Sequence, residues 1–411
     1  MKNLLLINHS DTRGGASVVT LRLLKALVAA GVDARMLVVH KDTDNLRVGT
    51  PAVAPWRVRA AFLGECARDF AGDGFNRANL FKVSSGTCGL PLHRHPWVAG
   101  ADVVVLNWIN QGMLSLDGIG RIAAMGKRMA WTLHDMWPLT GVCHHAGTCT
   151  RYATGCGHCP LVSGGKKEHD FSTRVFARKK RLYEQHPMQM IAVSSWVARK
   201  CAESALTASL PVAVIPNAFP VEEYAITPTL GRGELGLPAG NLIVMGAARL
   251  DDPIKNLPLA VDTLNRLADS GCEATAVFFG DIRDAHALDS LRLPHVHLGP
   301  VSSPERLAQV YAHASVVLST SRYETLPGTI IEGMAAGAVP VATSNGGQRD
   351  IIDHGVDGYI ADSDDADILA RHIAAALANP FDRMAQHKAV ERRFAARNVA
   401  RKYIDLLGLD Q

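Results

Sequence analysis

The 411-residue chain carries little charge imbalance: 43 Lys and Arg stand against 39 Asp and Glu, a formal net charge of +4. That excludes the polycationic composition of a nucleic-acid binder and the high net charge of a disordered tail. Partners must therefore be argued locally. A long apolar leader is also missing. Only four successive apolar residues, from Leu4 to Ile7, precede Asn8 and His9, too few for the apolar region of a signal peptide or for a membrane span. The expectation is a buried first strand in a cytoplasmic protein. Nor do the eight cysteines read as a disulfide framework, because no export signal accompanies them and four crowd into one short loop. No internal sequence repeat is visible. What the chain does have is 47% hydrophobic content, ample for two cores in a chain too long for one.

The first half alternates short apolar runs with longer amphipathic ones: NLLLINHS, ARMLVVH, ADVVVLNWI, RMAWTLHD, MQMIAVS and PVAVIPN read as strands. Continuous Val/Leu/Ile runs bounded by Gly, Asp and Asn are the mark of strands buried on both faces of a parallel sheet. The pattern stops near Pro216, passes through a Pro- and Gly-dotted stretch, and restarts with NLIVMGA, ATAVFFG, VHLGP, ASVVLST and AVPVATS. The fold class expected is α/β, two Rossmann-like domains facing each other across a cleft. Their bounds are 1–217 and 218–385, and a terminal helix over 386–411 is expected to cross back to the first domain. Residues 41–100 are the least readable. Open α/β sheets bind ligands beyond the carboxyl ends of their strands, so site residues are sought on the loops just after strands.

ASVVLST leads into SRYETLPGTIIEGMAAG, in which Glu324 and Glu332 stand eight positions apart. With a helix starting near Gly328, Glu332 falls in its first turns and Glu324 in the loop before it. Backbone N–H groups of Leu326, Gly328 and Thr329 would then face an anion or a sugar hydroxyl. The loop after the first strand of the same half, GAARLDDPIKN, offers Arg249 and Lys255. Two cations converging on a diphosphate would stabilise the charge of a departing leaving group.

These segments, with IPNAFPVEEY at the hinge, resemble the large retaining glycosyltransferase family four, which has the GT-B fold and an E-x7-E signature. Ala218 replaces the glycine usual in the family's hinge turn. The resemblance implies a donor site for a UDP or GDP sugar made by Arg249, Lys255, Leu326, Pro327, Gly328, Thr329 and Glu332, with Glu324 acting on the transferred sugar. It implies no catalytic metal.

On the first half, Gly14 and Gly15 follow the first strand and let the backbone approach a ligand. The resemblance places such a loop against the donor diphosphate (Gly15) and the acceptor (Gly14), with Arg13 nearby. RMAWTLHD ends in His134 and Asp135. A His beside an Asp at a sheet's carboxyl end can orient a sugar hydroxyl or share a proton, and the family commonly has a His there. Asn107, at the end of ADVVVLNWI, and Asp135 are expected to meet the acceptor. Beyond them Cys143, Cys149, Cys156 and Cys159 are spaced C-x5-C-x6-C-x2-C, a set that would suit a structural tetrahedral zinc. Plain reduced thiols or a disulfide are the alternatives. The HDMW stretch and clustered Cys resemble a subgroup of exopolysaccharide and capsule transferases, which implies a glycan or lipid-linked acceptor. The segment GGKKEHDFSTRVFARKKRLYEQHP carries Lys166, Lys167, Arg174, Arg178, Lys179, Lys180 and Arg181, either a solvated helix face or a contact with anionic lipid of the inner membrane face.

Three other readings compete. Gly231, Gly233 and Gly236 match G-x-G-x-x-G, the fingerprint of a nicotinamide-dependent oxidoreductase, but follow a Pro-rich hinge and not a strand. A non-catalytic sugar-binding relic would have no need to keep both cations and both glutamates. A glycosidase would need two carboxylates without a cationic diphosphate site.

Overall fold

The computed structural model describes residues 2–162 and 168–410; Lys166 and Lys167 lie outside them. The chain forms two units, one of Met1–Phe219 with Ala396–Gln411 and one of Pro220–Ala395.

The first unit is built on seven strands: β1 (Leu4–Ile7), β2 (Ala34–Leu37), β3 (Val48–Gly49), β4 (Val103–Leu106), β5 (Arg128–Leu133), β6 (Gln189–Ala192) and β7 (Val212–Val214). Their order is β3-β2-β1-β4-β5-β6-β7, and every pairing is parallel. All four residues of β1 and of β4 are buried, as expected of strands covered on both faces. The covering helices are α1 (Gly15–Ala29), α2 (Pro55–Gly72), α3 (Pro96–Gly100), α4 (Leu116–Ala123), α5 (Phe171–Gln185) and α6 (Ser195–Glu203).

The second unit has α7 (Arg232–Leu235), α8 (Leu257–Asp269), α9 (Pro304–Ala312), α10 (Gly328–Ala335), α11 (Ala366–Ala378) and α12 (Arg383–Phe394). Its strands are β8 (Leu242–Arg249), β9 (Thr275–Asp281), β10 (His295–His297), β11 (Val316–Ser319), β12 (Val339–Thr343) and β13 (Tyr359–Ala361). They run in the order β10-β9-β8-β11-β12-β13, again all parallel. Both sheets therefore share the doubly wound order, in which the direction of winding reverses between the first and fourth strand of each unit. Ligands of such sheets bind at that reversal, beyond the carboxyl ends. The switch points lie at β1/β4 and at β8/β11.

The terminal segment, expected as one helix from 386, is two. α12 ends at Ala395, whose extended backbone breaks the helix, and α13 (Ala396–Leu407) belongs to the first unit. Val399, Ala400, Tyr403, Ile404 and Leu407 pack into one core with Leu4, Leu6 and the inner side of α1. Arg128 caps the helix, donating to the Leu407 and Leu406 carbonyls at 3.0 and 2.9 Å.

Within the region that was hardest to read, α2 turns two carboxylates inward. Glu65 accepts from the Ser85 hydroxyl and from the N–H groups of Gly86, Thr87 and Cys88, at 2.6–3.0 Å, and Asp69 accepts from the Ser85 N–H at 2.8 Å. Burial, then the charge of Glu65, pushes Asp69 up to about 8. In the unfolded chain the same group sits near the ordinary aspartate value of 3.8. Between those values unfolding releases a proton that the folded state retains, so its contribution is present in acid and lost as pH rises through 8. Asp69→Asn keeps the acceptor oxygen and removes the titration. Its melting temperature should fall less than that of wild type between pH 4 and pH 8, leaving the variant the more stable of the two at pH 8, with little difference at pH 4. A variant curve that runs parallel to wild type across this range would count against the buried, protonated Asp69.

Candidate active site

At the β8/β11 switch point of the second unit, Arg249 is the last residue of β8 and Lys255 lies in the turn leading to α8. The turn is closed by Asn256 in the left-handed conformation (φ 55°) and by the Thr320 hydroxyl, which donates to the Lys255 and Asn256 carbonyls at 3.0 and 3.2 Å. Lys255 Nζ thereby reaches Glu324 Oε1 at 2.5 Å, across 69 residues of sequence. Glu324 is itself fixed by its backbone: its carbonyl accepts from Gly347 N–H at 2.9 Å, and it forms a parallel bridge with Gly346. A Cβ on residue 346 would stand 1.9 Å from the Glu324 oxygen, so only glycine fits there. Gly346 is a positioning residue that was not singled out from sequence.

Arg249 is engaged by its own loop, with Nη2 on Asp252 at 2.9 Å and Nε 3.5 Å from Asp251. A diphosphate would have to share it with those carboxylates. Glu332 lies in the second turn of α10 and acts on the buried Tyr311 hydroxyl of α9. Burial, then the charge of Glu332, holds that phenol well above its ordinary value. Gly328 opens α10 with nothing within 4 Å of where a side chain would begin, so the first-turn amides from Gly328 and Thr329, after Leu326 and Pro327, can be approached by a ligand.

In the first unit, Gly14 caps α1 with φ 87°, a conformation that glycine tolerates without strain. Neither Gly14 nor Gly15 has an atom within 4 Å of a would-be Cβ. Asn8 holds this loop against the end of β4: its amide donates to Ser10 O and Ser17 Oγ and its oxygen accepts from Trp108 N–H at 2.9 Å. Arg13 forms a two-pronged pair with Asp42 at 2.8 and 2.9 Å.

His134 and Asp135 follow β5. Burial draws His134 down to about 4, so it is a neutral imidazole at pH 7. Its Nε2–H donates to Asn107 Oδ1 at 3.0 Å, which sets the tautomer. The Asn107 amide is engaged at its other end as well, by Val105 O at 3.3 Å, so Asn107 orients His134. Asp135 pins the neighbouring chain. It accepts from Trp108 Nε1 (3.0 Å), Trp137 N–H (2.8 Å) and His144 Nδ1 (2.6 Å). Burial alone would raise its pKa, but the His144 ring and the Trp137 N–H outweigh burial and hold it at about 2. His144 Nε2 in turn meets Ser84 Oγ at 2.9 Å. The Ser–His–Asp connectivity is that of a hydrolytic triad, but Ser84 and His144 are 3% and 7% exposed, so the array holds the loop and presents no nucleophile.

The loop after Asp135 has no sheet to bond with, and its carbonyls are met one by one. Lys179 donates to Trp137 O (2.5 Å) and Thr140 O (2.9 Å), Tyr183 to Pro138 O (2.9 Å) and Ser204 to Leu139 O (2.6 Å). Cys143, Cys149, Cys156 and Cys159 all line one small cavity beside it. None is in a disulfide, and Gly141 N–H donates to Cys156 Sγ at 3.2 Å. Among the described residues no three His, Cys, Asp or Glu side chains are drawn close enough to hold a metal, so a clasp would require the thiols to close in.

Residues 241–379, most of the second unit, match the family model described as Glycosyl transferases group 1. The chain is 26% identical over 202 residues to a putative colanic acid biosynthesis glycosyl transferase of Escherichia coli, WcaC, covering 44% of this chain and 46% of that one. It spans under half the length of the curated relatives it matches. Among solved structures, the Anabaena protein HepE in complex with UDP and glucose aligns with a TM-score of 0.63 at 17% identity, over 99% of this chain and all of that one. Sucrose-phosphate synthase from Thermosynechococcus elongatus aligns at 0.65 and 17%, over 99% and 98%. Two Rossmann-like α/β domains of the GT-B class are thus the fold, and the second of them carries the glycosyltransferase match. The Gly231–Gly236 motif surrounds the four-residue α7 and precedes β8, out of context for a nicotinamide fingerprint.

Proposed function

We propose that the protein is a retaining glycosyltransferase that moves a sugar from a UDP or GDP sugar to a glycan or lipid-linked oligosaccharide in cell-surface polysaccharide assembly. The observation that carries this reading is the Lys255–Glu324 pair, 2.5 Å apart at the β8/β11 switch point and inside the segment that matches the glycosyltransferase family. A diphosphate and a sugar hydroxyl present the two chemistries that this pair can meet, an anion for the ammonium and a donor for the carboxylate. Arg249 and the first-turn amides of α10 add cationic and N–H contacts, and Glu332 takes the ribose. In the reaction the acceptor oxygen bonds to the anomeric carbon on the face from which the diphosphate leaves. The carbon–oxygen bond to the diphosphate breaks, and the acceptor proton passes to a diphosphate oxygen. His134, neutral and oriented by Asn107, is the first unit's candidate for orienting a sugar hydroxyl. No step calls on a metal.

The test is a thermal-shift panel of UDP, GDP, ADP, TDP and their sugars on wild type and Glu332→Ala. One nucleotide should stabilise selectively, by about 3 kcal/mol at a hundred times its Kd, and lose that effect in the variant. Stabilisation by NAD with none from any nucleotide diphosphate would sink the proposal. The four cysteines enter it as the ligands of a structural zinc, and elemental analysis of the same preparation should return one zinc per chain; metal-free protein of unchanged melting temperature would leave them plain thiols.

A further inference from the structure

At the switch point of the first unit, two residues beyond β1, stands His9, of which only 7% is exposed. The backbone holds it in place: His9 N–H donates to Trp108 O at 2.8 Å, and its carbonyl accepts from the Val39 and His40 N–H groups at 3.0 and 3.1 Å. The residue therefore lies where β1, β2 and β4 end. Neither ring nitrogen has a hydrogen-bond partner among the described residues. Other histidines of the chain are paired: His144 with Asp135 and Ser84, His134 with Asn107, His387 with the Ala335 carbonyl. Burial, then the charges of His40 and Arg13, draws His9 down to about 4. The unpaired ring is thus neutral at pH 7 and presents one donor and one acceptor. The loop after β4 repeats the feature, since Asn110 is 6% exposed and its Nδ2 has no partner either.

A buried polar group left unpaired costs stability, and an apolar side chain of similar size in its place would not. Such groups at the ligand-binding end of a sheet are where stability is given up for function. Packing does not call for a histidine at this position. The neighbours of the ring are aromatic, His40 edge-on at 5.0 Å and Trp108 at 5.5 Å, surroundings that suit an apolar residue. These two walls differ in freedom. Trp108 is fixed, with its Nε1 on Asp135 at 3.0 Å. The half-buried His40 is tied through its backbone to His9 O and Asp11 N–H, and among the described residues no hydrogen bond holds its ring. Rotation of that side chain uncovers His9 and leaves it beside the Trp108 indole. An apolar ring face next to a group that both gives and takes a hydrogen bond matches a sugar, whose C–H faces are apolar and whose hydroxyls do both. A carboxylate or a phosphodiester offers acceptors only and would leave one imidazole nitrogen unpaired.

We propose that His9 is a sugar-binding residue of the first unit, whose imidazole pairs with a hydroxyl of an uncharged glycoside once the His40 ring swings off it. Naming that glycoside the acceptor rests on the transferase reading; the binding itself does not.

The probes are the methyl glycosides of glucose, galactose, mannose and fucose, titrated into full-length protein carrying nitrogen-15-labelled histidine, with the His9 resonances assigned by their loss in His9→Gln. At least one glycoside should shift both His9 ring nitrogens saturably. His9→Leu should bind that glycoside about tenfold more weakly, the loss of one hydrogen-bonded contact, while melting no lower than wild type. His9→Gln, which keeps a donor and an acceptor, should bind within about threefold of wild type. His40→Ala should bind at least as tightly, because that ring only covers the site. Silent His9 resonances with all four glycosides overturn the proposal. So does undiminished binding by His9→Leu, or a His9→Leu that melts lower than both wild type and His9→Gln, which would mean that the ring is paired inside the protein. A glycoside that shifts His9 in a protein that no nucleotide stabilises would keep the sugar site and remove the transferase reading; nucleotide stabilisation with His9 silent would do the reverse.

Discussion

Lys255→Ala should lower sugar transfer about 10²–10³-fold, the range seen when one preorganised electrostatic contact to a developing charge is removed. The loss should fall on kcat more than on KM, because the leaving diphosphate gains charge only as the glycosidic bond breaks. The backbone carbonyl of Lys255, which accepts the Thr320 hydroxyl, is untouched by the substitution, and the side chain is partly exposed; the fold should survive. The 2.5 Å contact with Glu324 adds a second expectation. In Lys255→Ala the Glu324 carboxylate faces an incoming diphosphate without its cation, so the single variant suffers both lost attraction and new repulsion. Adding Glu324→Gln should recover part of the nucleotide-induced thermal shift, and the two effects should be strongly non-additive. Arginine at 255 should rescue only partly, since a planar fork cannot place its charge where a compact ammonium sat. Transfer within a factor of three of wild type in Lys255→Ala would remove this residue from the chemistry.

Strands were the most legible part of the molecule because doubly covered parallel strands are written as unbroken apolar runs: LLLI, VVVL and VVLS each fall on β1, β4 and β11. α2 was not legible, and the reason is chemical. Its fully buried residues are Glu65 and Asp69, so the helix shows no apolar stripe, and its partner is a loop of N–H groups. The short strands β3 and β13, with two and three residues, carry too few positions for a period to appear. At the candidate site, Glu324, Glu332, Arg249 and Lys255 are singled out by sequence because they lie at a strand's end or in the loop and helix that follow one. What could not be read was how they are occupied before a ligand arrives: Arg249 held by Asp251 and Asp252, Asn107 by His134 and Val105. Spacing along a chain names the loop a side chain occupies, whereas its partners come from elements tens of residues away. Gly346 is the clearest case, since its need for glycine arises from a carbonyl 22 positions earlier, that of Glu324.

Lys179→Met should destabilise the first unit by about 3 kcal/mol, within the range measured when a buried polar interaction loses one partner, and lower its melting temperature by roughly 6–12 °C. The basic stretch around residues 166–181 invites the view that every cation in it faces solvent or lipid, yet Lys179 is fully buried. Its Nζ lies 3.6 Å from the centre of the Trp137 ring and donates to the Trp137 and Thr140 carbonyls. Burial draws its pKa down to about 7; even the neutral amine retains two N–H donors, as many as the carbonyls it serves. Methionine matches the length and fills the volume, so the loss isolates the two abandoned carbonyls from any cavity. Tyr183→Phe, which abandons only the Pro138 carbonyl, should cost about 1 kcal/mol. Because the same turn carries Trp137, whose N–H pins Asp135, Lys179→Met should also loosen the loop that follows His134. Faster amide exchange over residues 136–142, with the donor-nucleotide thermal shift unchanged, is the signature that separates this local effect from general unfolding. A methionine variant as stable as wild type would mean that Trp137 O and Thr140 O are satisfied without the lysine.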